Sequence, residues 1–160
     1  MEAKKLSLSM KDLMPLIEEK LQSGNEVMLT VQGVSMDPYL VDRRDTVCFA
    51  PLGDRELKKG DIVLFRRQDG SVAMHRILRI RQDGSFDIVG DNQAVCDTGI
   101  TRDMLIAFVP HVVRKGKEMS TEKGFWRFAM IQYMNVRVKH PKFAFRLMRT
   151  IGKIHGRLKG

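Results

Sequence analysis

Residues 61–89 read DIVLFRRQDGSVAMHRILRIRQDGSFDIV. Three runs rich in β-branched and aromatic side chains, 61–67, 72–81 and 86–89, are separated by Gln68-Asp69-Gly70 and Gln82-Asp83-Gly84. An Asp-Gly pair between two such runs is a strong hairpin signal, because both residues tolerate the backbone that a tight reversal needs. The stretch therefore predicts three consecutive antiparallel strands. Outward from it, Val27, Leu29 and Val31 alternate with Glu26, Met28 and Thr30, the period of a half-buried strand. Residues 46–52 and 105–113 read as further strands. Strands at a spacing of about 8–12 residues favour a mainly β fold, a coiled antiparallel sheet or small barrel, over a parallel α/β sheet.

Helices are expected on either side. Leu13, Leu16, Ile17 and Leu21 recur at helical spacing after Ser9, a candidate N-cap with Asp12 three residues on, and Gly24 is placed to end the helix. A lone helix of this kind has no second helix with which to form a helix-turn-helix. Residues 111–124, HVVRKGKEMSTEKG, read as a polar break, and 125–138 and 141–159 read as helical. The expected organisation is an N-terminal helix over 1–25, a β-domain over 26–114 and a basic helical region over 115–160.

Composition narrows the classes. The 160 residues, 43% of them hydrophobic, suffice for one domain with its own core. The two cysteines, Cys48 and Cys96, form no Cys-x-x-Cys pair and have no histidine beside them in sequence, so neither a disulfide framework nor a zinc site is expected, and both read as reduced thiols. No apolar run is long enough for a secretory h-region, about 7–15 residues, or a spanning helix, about 20. The expected location is therefore cytoplasmic, with peripheral membrane attachment as the variant. Residues 1–110 carry 15 Lys+Arg against 17 Asp+Glu, a balance of −2, whereas 111–160 carry 13 against 2, a balance of +11, which together make the net +9. Charge-driven partners belong to the last third.

The chemistry-bearing stretch is Val31-Gln32-Gly33-Val34-Ser35-Met36-Asp37-Pro38-Tyr39-Leu40. A serine at a strand end, two residues after a glycine, can present its hydroxyl beside backbone N–H groups, as an oxyanion hole requires. Its hydroxyl needs a base within hydrogen-bond reach. Downstream stand Lys59-Gly60-Asp61-Ile62-Val63-Leu64-Phe65, then Met74-His75-Arg76-Ile77, then Gly90-Asp91-Asn92-Gln93-Ala94-Val95-Cys96-Asp97. In this order and spacing the segments resemble the signal peptidase family, in the branch of archaea, the endoplasmic reticulum and some Gram-positive bacteria, over about residues 27–110.

The resemblance implies a signal peptidase/LexA-type β-fold and a serine endopeptidase that needs no cofactor or metal. Bacterial signal peptidases and LexA-type self-cleaving repressors use a Ser–Lys dyad; the matching branch has histidine where those have lysine, and this chain has His75. Ser35 is then the nucleophile, with the backbone N–H groups of Ser35 and Gly33 as the oxyanion hole. His75 is the general base, an imidazole that titrates near neutrality without a large shift. Asp91 and Asp97 match two aspartates of the branch. One should orient the far ring nitrogen of His75, and by position Asp97 is the expected one, Asp91 the alternative.

Three positions depart from the branch. Gly33 stands where a serine often assists the oxyanion hole. Cys96 stands where an acidic residue often precedes Asp97, and inert packing of its thiol is expected. No apolar anchor precedes Ser35, so a leader peptide of a cytosolic precursor suits the resemblance as well as a secretory signal does. The implied substrate is a precursor in extended conformation with small side chains before the cut.

Residues 125–160, with aromatics among Lys and Arg, suit an anionic membrane surface or a packed helical pair with a basic face; no nucleic-acid-binding motif accompanies them. A self-cleaving regulator would need an Ala-Gly or Cys-Gly bond, and the chain has neither. A non-catalytic binding module with the same fold is the remaining alternative.

Overall fold

In the computed structural model, residues 10–140, 142–144, 146, 147 and 150 are described. Helix α1, Met10–Gln22, leads into β1, Val27–Thr30, and β2, Asp45–Pro51. Four strands follow, β3, Ile62–Arg66, β4, Val72–Ile80, β5, Phe86–Val89, and β6, Asp97–Ile100. A 3-10 turn at Arg102–Met104 then precedes β7, Leu105–Phe108, β8, His111–Arg114, β9, Lys117–Ser120, and helix α2, Phe125–Lys139. Among the described residues no helix is long and apolar enough to cross a membrane.

The nine strands form a mainly antiparallel sheet in the order β6-β5-β4-β3-β7-β2-β8-β9, with β1 pairing β2. Strand β2 makes the sheet coil. Its first half pairs with β1 and β8, while Ala50 and Pro51 pair with β7. The mainly β, coiled antiparallel fold expected from the sequence is the one observed.

Both predicted Asp-Gly hairpins form, and they share one pentapeptide, Arg-Gln-Asp-Gly-Ser, at 67–71 and 81–85. In each, the arginine N–H donates to the serine carbonyl, at 2.7 and 2.8 Å, and the aspartate carboxylate accepts the serine N–H at 2.9 Å. This local closure fixes the register of β3–β4–β5. Strand β3 is buried on both faces: Ile62 and Leu64 face the larger core with α1 and α2, while Val63 and Phe65 face a second cluster with Ile77, Phe86 and Ile88.

The structure differs from the sequence reading in four places. Helix α1 turns Met14, Ile17 and Leu21 into the core, but Leu16 is 53% exposed, because the buried arc runs through 14, 17 and 21. The candidate N-cap Ser9 lies outside the described residues. The single strand expected over 105–113 is two, β7 and β8, parted at Pro110 as the chain passes from one half of the sheet to the other. Residues 111–120 are a hairpin and not a polar break: β8 pairs β9 from His111↔Ser120 to Arg114↔Lys117, around Lys115 and Gly116, both at positive φ. The sheet thus continues past 114. Strand β6, which begins at Asp97, had no counterpart in the sequence reading.

Helix α2 lies on the larger core through Met130, Tyr133 and Met134, joined by Ala144. Arg127 on its first turns donates to Asp61 and to the carbonyls of Lys59 and Thr121. The expected helical stretch 141–159 falls largely outside the described residues.

Candidate active site

Ser35 sits in the turn that follows β1. The turn closes through Asp37 N–H to the Val34 carbonyl, 3.2 Å, and Leu40 N–H to the Met36 carbonyl, 2.9 Å. Met36, Tyr39 and Leu40 are buried in the core and anchor it, leaving Ser35 half-buried. The loop after β5 holds Ser35 from behind. Asn92 N–H donates to the Ser35 carbonyl at 2.8 Å, and the Asn92 side chain donates to the Val34 carbonyl at 3.2 Å. At Gly90 a Cβ would stand 2.7 Å from the Ser35 carbonyl oxygen, so only glycine permits this approach.

His75, on β4 opposite Val63 of β3, is buried, its ring tilted against Phe65 with centroids 5.9 Å apart. Ser35 and His75 line one cleft of roughly 370 Å³, with Leu29–Gly33, Val47, Phe49, Leu64, Ala73, Met74 and Gln93 among its other walls. A larger recess, roughly 730 Å³, lies between α1 and the ends of β2, β3 and β7, and includes neither Ser35 nor His75. The smaller cleft, which Ser35 and His75 share, is therefore the candidate site.

The structure separates the two aspartates. Asp97, at the start of β6, brings Oδ2 to 3.4 Å from His75 Nδ1, within ion-pair range though not aligned as a hydrogen bond, so Nδ1 has no aligned partner. Asp91 faces Arg76 instead, in a fully buried two-pronged pair with both N–O distances 2.9 Å. Arg76 also donates to the Gly60 carbonyl and stacks over Tyr39. Asp91 is thus committed to holding the loop behind Ser35.

Arg67 was not foreseen. Its guanidinium forks onto Asp97, Nε at 2.6 Å and the terminal nitrogen at 2.9 Å. Burial pushes the Asp97 carboxyl up, but Arg67 and then His75 outweigh it and hold it below the usual carboxylate range. Burial is also the largest influence on His75 and lowers its pKa; Asp97 opposes that and Arg67 adds to it. The net effect keeps the imidazole neutral at neutral pH, the form able to accept a proton.

One expected donor is engaged elsewhere. The Gly33 N–H donates to the Asp42 carboxylate at 2.8 Å, which removes it from the expected oxyanion hole. The Ser35 N–H has no acceptor among the described residues.

Helix α2 reaches the site through residues that sequence reading could not place. Buried Arg137 donates to the carbonyls of Gly90, Asp91 and Gln93, and the Tyr133 hydroxyl donates to the Asp91 carbonyl. The loop behind Ser35 is therefore braced by Arg76 on one side and α2 on the other.

Both thiols are unpaired, as expected. Cys96 contacts the Ile88 carbonyl, and burial pushes its pKa up, which suits the inert packing expected of it. Burial and then Glu26 push the Cys48 thiol up to about 12. No histidine adjoins Cys48 in sequence, yet the sheet brings His111 and Glu26 beside it.

A family model described as Peptidase S24-like matches residues 3–112, and no curated protein matches the chain. The match supports a peptidase or LexA-like domain and ends before β9 and α2. Because it takes in more than half of the chain, with every strand from β1 to β7 and all of Ser35, His75 and Asp97, the chain belongs to the Peptidase S24-like family.

Proposed function

We propose that the protein is a serine endopeptidase of the signal peptidase type that removes a signal or leader segment from a precursor. The carrying observation is that His75, buried and lowered in pKa, lies between a cleft shared with Ser35 and the Asp97 carboxylate. The Ser35 hydroxyl attacks the scissile carbonyl carbon as His75 Nε2 takes its proton. The imidazolium is stabilised by Asp97, 3.4 Å from Nδ1. His75 then passes the proton to the leaving amine, and water, deprotonated by His75, releases the acyl group from Ser35. The Ser35 N–H, which has no acceptor among the described residues, supplies a donor for the developing oxyanion.

The walls over Leu29–Gly33 suit an extended peptide, because among the described residues β1 pairs with β2 alone and offers its other edge. The experiment is cleavage of extended precursor peptides with small residues before the cut, by wild type, Ser35→Ala and His75→Ala. Loss in both variants supports the proposal; undiminished cleavage in either refutes it.

Membrane attachment through residues 125–160 belongs to the same proposal. Phe125, Phe128 and Phe143, 75%, 61% and 62% exposed, stand beside the basic residues of the tail and suit an anionic lipid surface. Co-flotation with anionic but not neutral vesicles would support it, and equal flotation with both would refute it.

A further inference from the structure

Three strands bring a metal-ligating set together away from the candidate active site. Donor atoms of Glu26, Cys48 and His111 all lie within 4.8 Å of one another. The register explains this. Met28 of β1 lies opposite Cys48 of β2, so Glu26, two residues earlier, shares the Cys48 face. Val47 pairs with Val112 of β8, so His111 falls opposite Cys48 on the other side. That face points away from the larger core, into which the flanking Val47 and Phe49 turn, and Met28 on it is exposed.

The geometry is near that of a bound ion. Cys48 Sγ is 3.2 Å from Glu26 Oε2, and ligand atoms on a tetrahedral zinc with bonds of about 2.0–2.3 Å stand about 3.5 Å apart. Glu26 is exposed at the strand end, so its side chain can close the remaining gap. A second, independent feature points the same way. His111 Nδ1 lies 3.8 Å from Glu118 Oε1 across the β8–β9 hairpin. Histidine ligands of zinc commonly present their other ring nitrogen to a carboxylate, which fixes the ring and leaves Nε2 for the metal. Among the described residues neither Glu26 nor Glu118 is paired with Lys or Arg. Two uncompensated carboxylates beside a thiol and an imidazole form a field that a divalent cation would satisfy.

We propose that Glu26, Cys48 and His111 bind a divalent cation of the zinc type, with water in the fourth position and Glu118 positioning His111. On binding, the Cys48 S–H proton leaves to solvent and the thiolate–metal bond forms, with no change of oxidation state. The ion would cross-link β1, β2 and β8 on the face opposite the core. A sulfur, an imidazole and a carboxylate favour zinc over calcium or magnesium, which prefer oxygen ligands.

The test uses the full chain, treated with chelator, dialysed and kept reduced, and needs no peptidase activity. Cobalt(II) is titrated in and then displaced with zinc(II). The expected result is saturation at one equivalent with a sulfur-to-cobalt charge-transfer band that zinc abolishes. Cys48→Ser should lose the band, His111→Ala and Glu26→Gln should weaken binding at least tenfold, and Glu118→Gln should weaken it about tenfold. Cys96→Ser should bind as wild type does. His111→Ala, at a half-buried position, with circular dichroism as a check on folding, keeps the test sound should Cys48→Ser fail to fold. Absence of a saturable band, or a band that survives Cys48→Ser or disappears in Cys96→Ser, would overturn the proposal and leave Glu26 and Cys48 as a hydrogen-bonded pair only.

Discussion

Replacing Asp97 with asparagine keeps the shape of the site and removes one charge. Asp97 Oδ2 stands 3.4 Å from His75 Nδ1, and a unit pair at that distance attracts by about 5 kcal/mol at an effective dielectric of about 20. Arg67 forks onto the same carboxylate and neutralises part of it, so about half of that attraction is a fair lower bound. The imidazolium formed as Ser35 attacks would lose about 2.5–5 kcal/mol, and at 1.36 kcal/mol per decade the rate should fall about 10²- to 10⁴-fold. The pH profile carries a second sign. Burial holds His75 below its ordinary value of 6.5 and Asp97 pulls it back up. Wild-type kcat/KM should therefore rise with pH through an inflection below 6.5 and level off at neutrality. In Asp97→Asn the inflection should move lower still, because burial and Arg67 are then opposed only by the weaker pull of Asp91. The assay is kcat/KM on a cleavable peptide from pH 4 to 8, with a urea melt to confirm folding. Activity within about threefold of wild type, with the inflection unmoved, would refute the assignment of Asp97.

Asp91→Asn breaks the buried pair with Arg76 and should cost about 3–5 kcal/mol in chemical denaturation while lowering the His75 inflection less than Asp97→Asn does, since Asp91 is the weaker of the two carboxylate influences on His75; intact stability with a larger shift than in Asp97→Asn would make Asp91 the orienting acid instead. In Gly90→Ala a Cβ 2.7 Å from the Ser35 carbonyl oxygen must push that segment back by several tenths of an ångström. About tenfold lower kcat is expected, with about 1–3 kcal/mol of lost stability, and unchanged kinetics would contradict the close approach. Burial pushes the Asp45 carboxyl up, but hydrogen bonds from Arg44, Arg114 and the Val41 N–H outweigh it and hold it well below its ordinary value of 3.8. A depressed folded pKa gives stability that is complete above the unfolded value and lost as pH falls through the folded one. Thermal melts should thus decline below about pH 4, and Asp45→Asn should flatten that decline.

Local chemistry made much of this legible. The Asp-Gly turns close on their own side chains and α1 follows helical spacing, so neither depends on distant partners. Strand β6 was hidden because Asp97-Thr98-Gly99-Ile100 carries neither alternation nor a β-branched run, and its pairing with β5 supplies the order. The β8–β9 hairpin was hidden by its charge, since its outer face meets solvent. In the site, the family pattern marked Ser35, His75 and the two aspartates, but their division of labour depends on which cation each meets. Arg76 is next to His75 in sequence, yet alternation along β4 sends it to the opposite face and onto Asp91. Arg67, Tyr133 and Arg137 reach the site across 30 to 47 residues of chain, where no spacing rule applies. The Gly33 N–H was assigned to the oxyanion because nothing in the sequence shows that Asp42 turns back to accept it.

The central claim is that Ser35 is a nucleophile activated by His75. It is tested most directly by treating the folded chain with a small fluorophosphonate or an activated peptide ester and mapping the adduct by mass spectrometry. A single adduct on the peptide containing Ser35 is predicted, absent in Ser35→Ala and strongly slowed in His75→Ala. An adduct elsewhere, or on Ser35 at the same rate with and without His75, would contradict it.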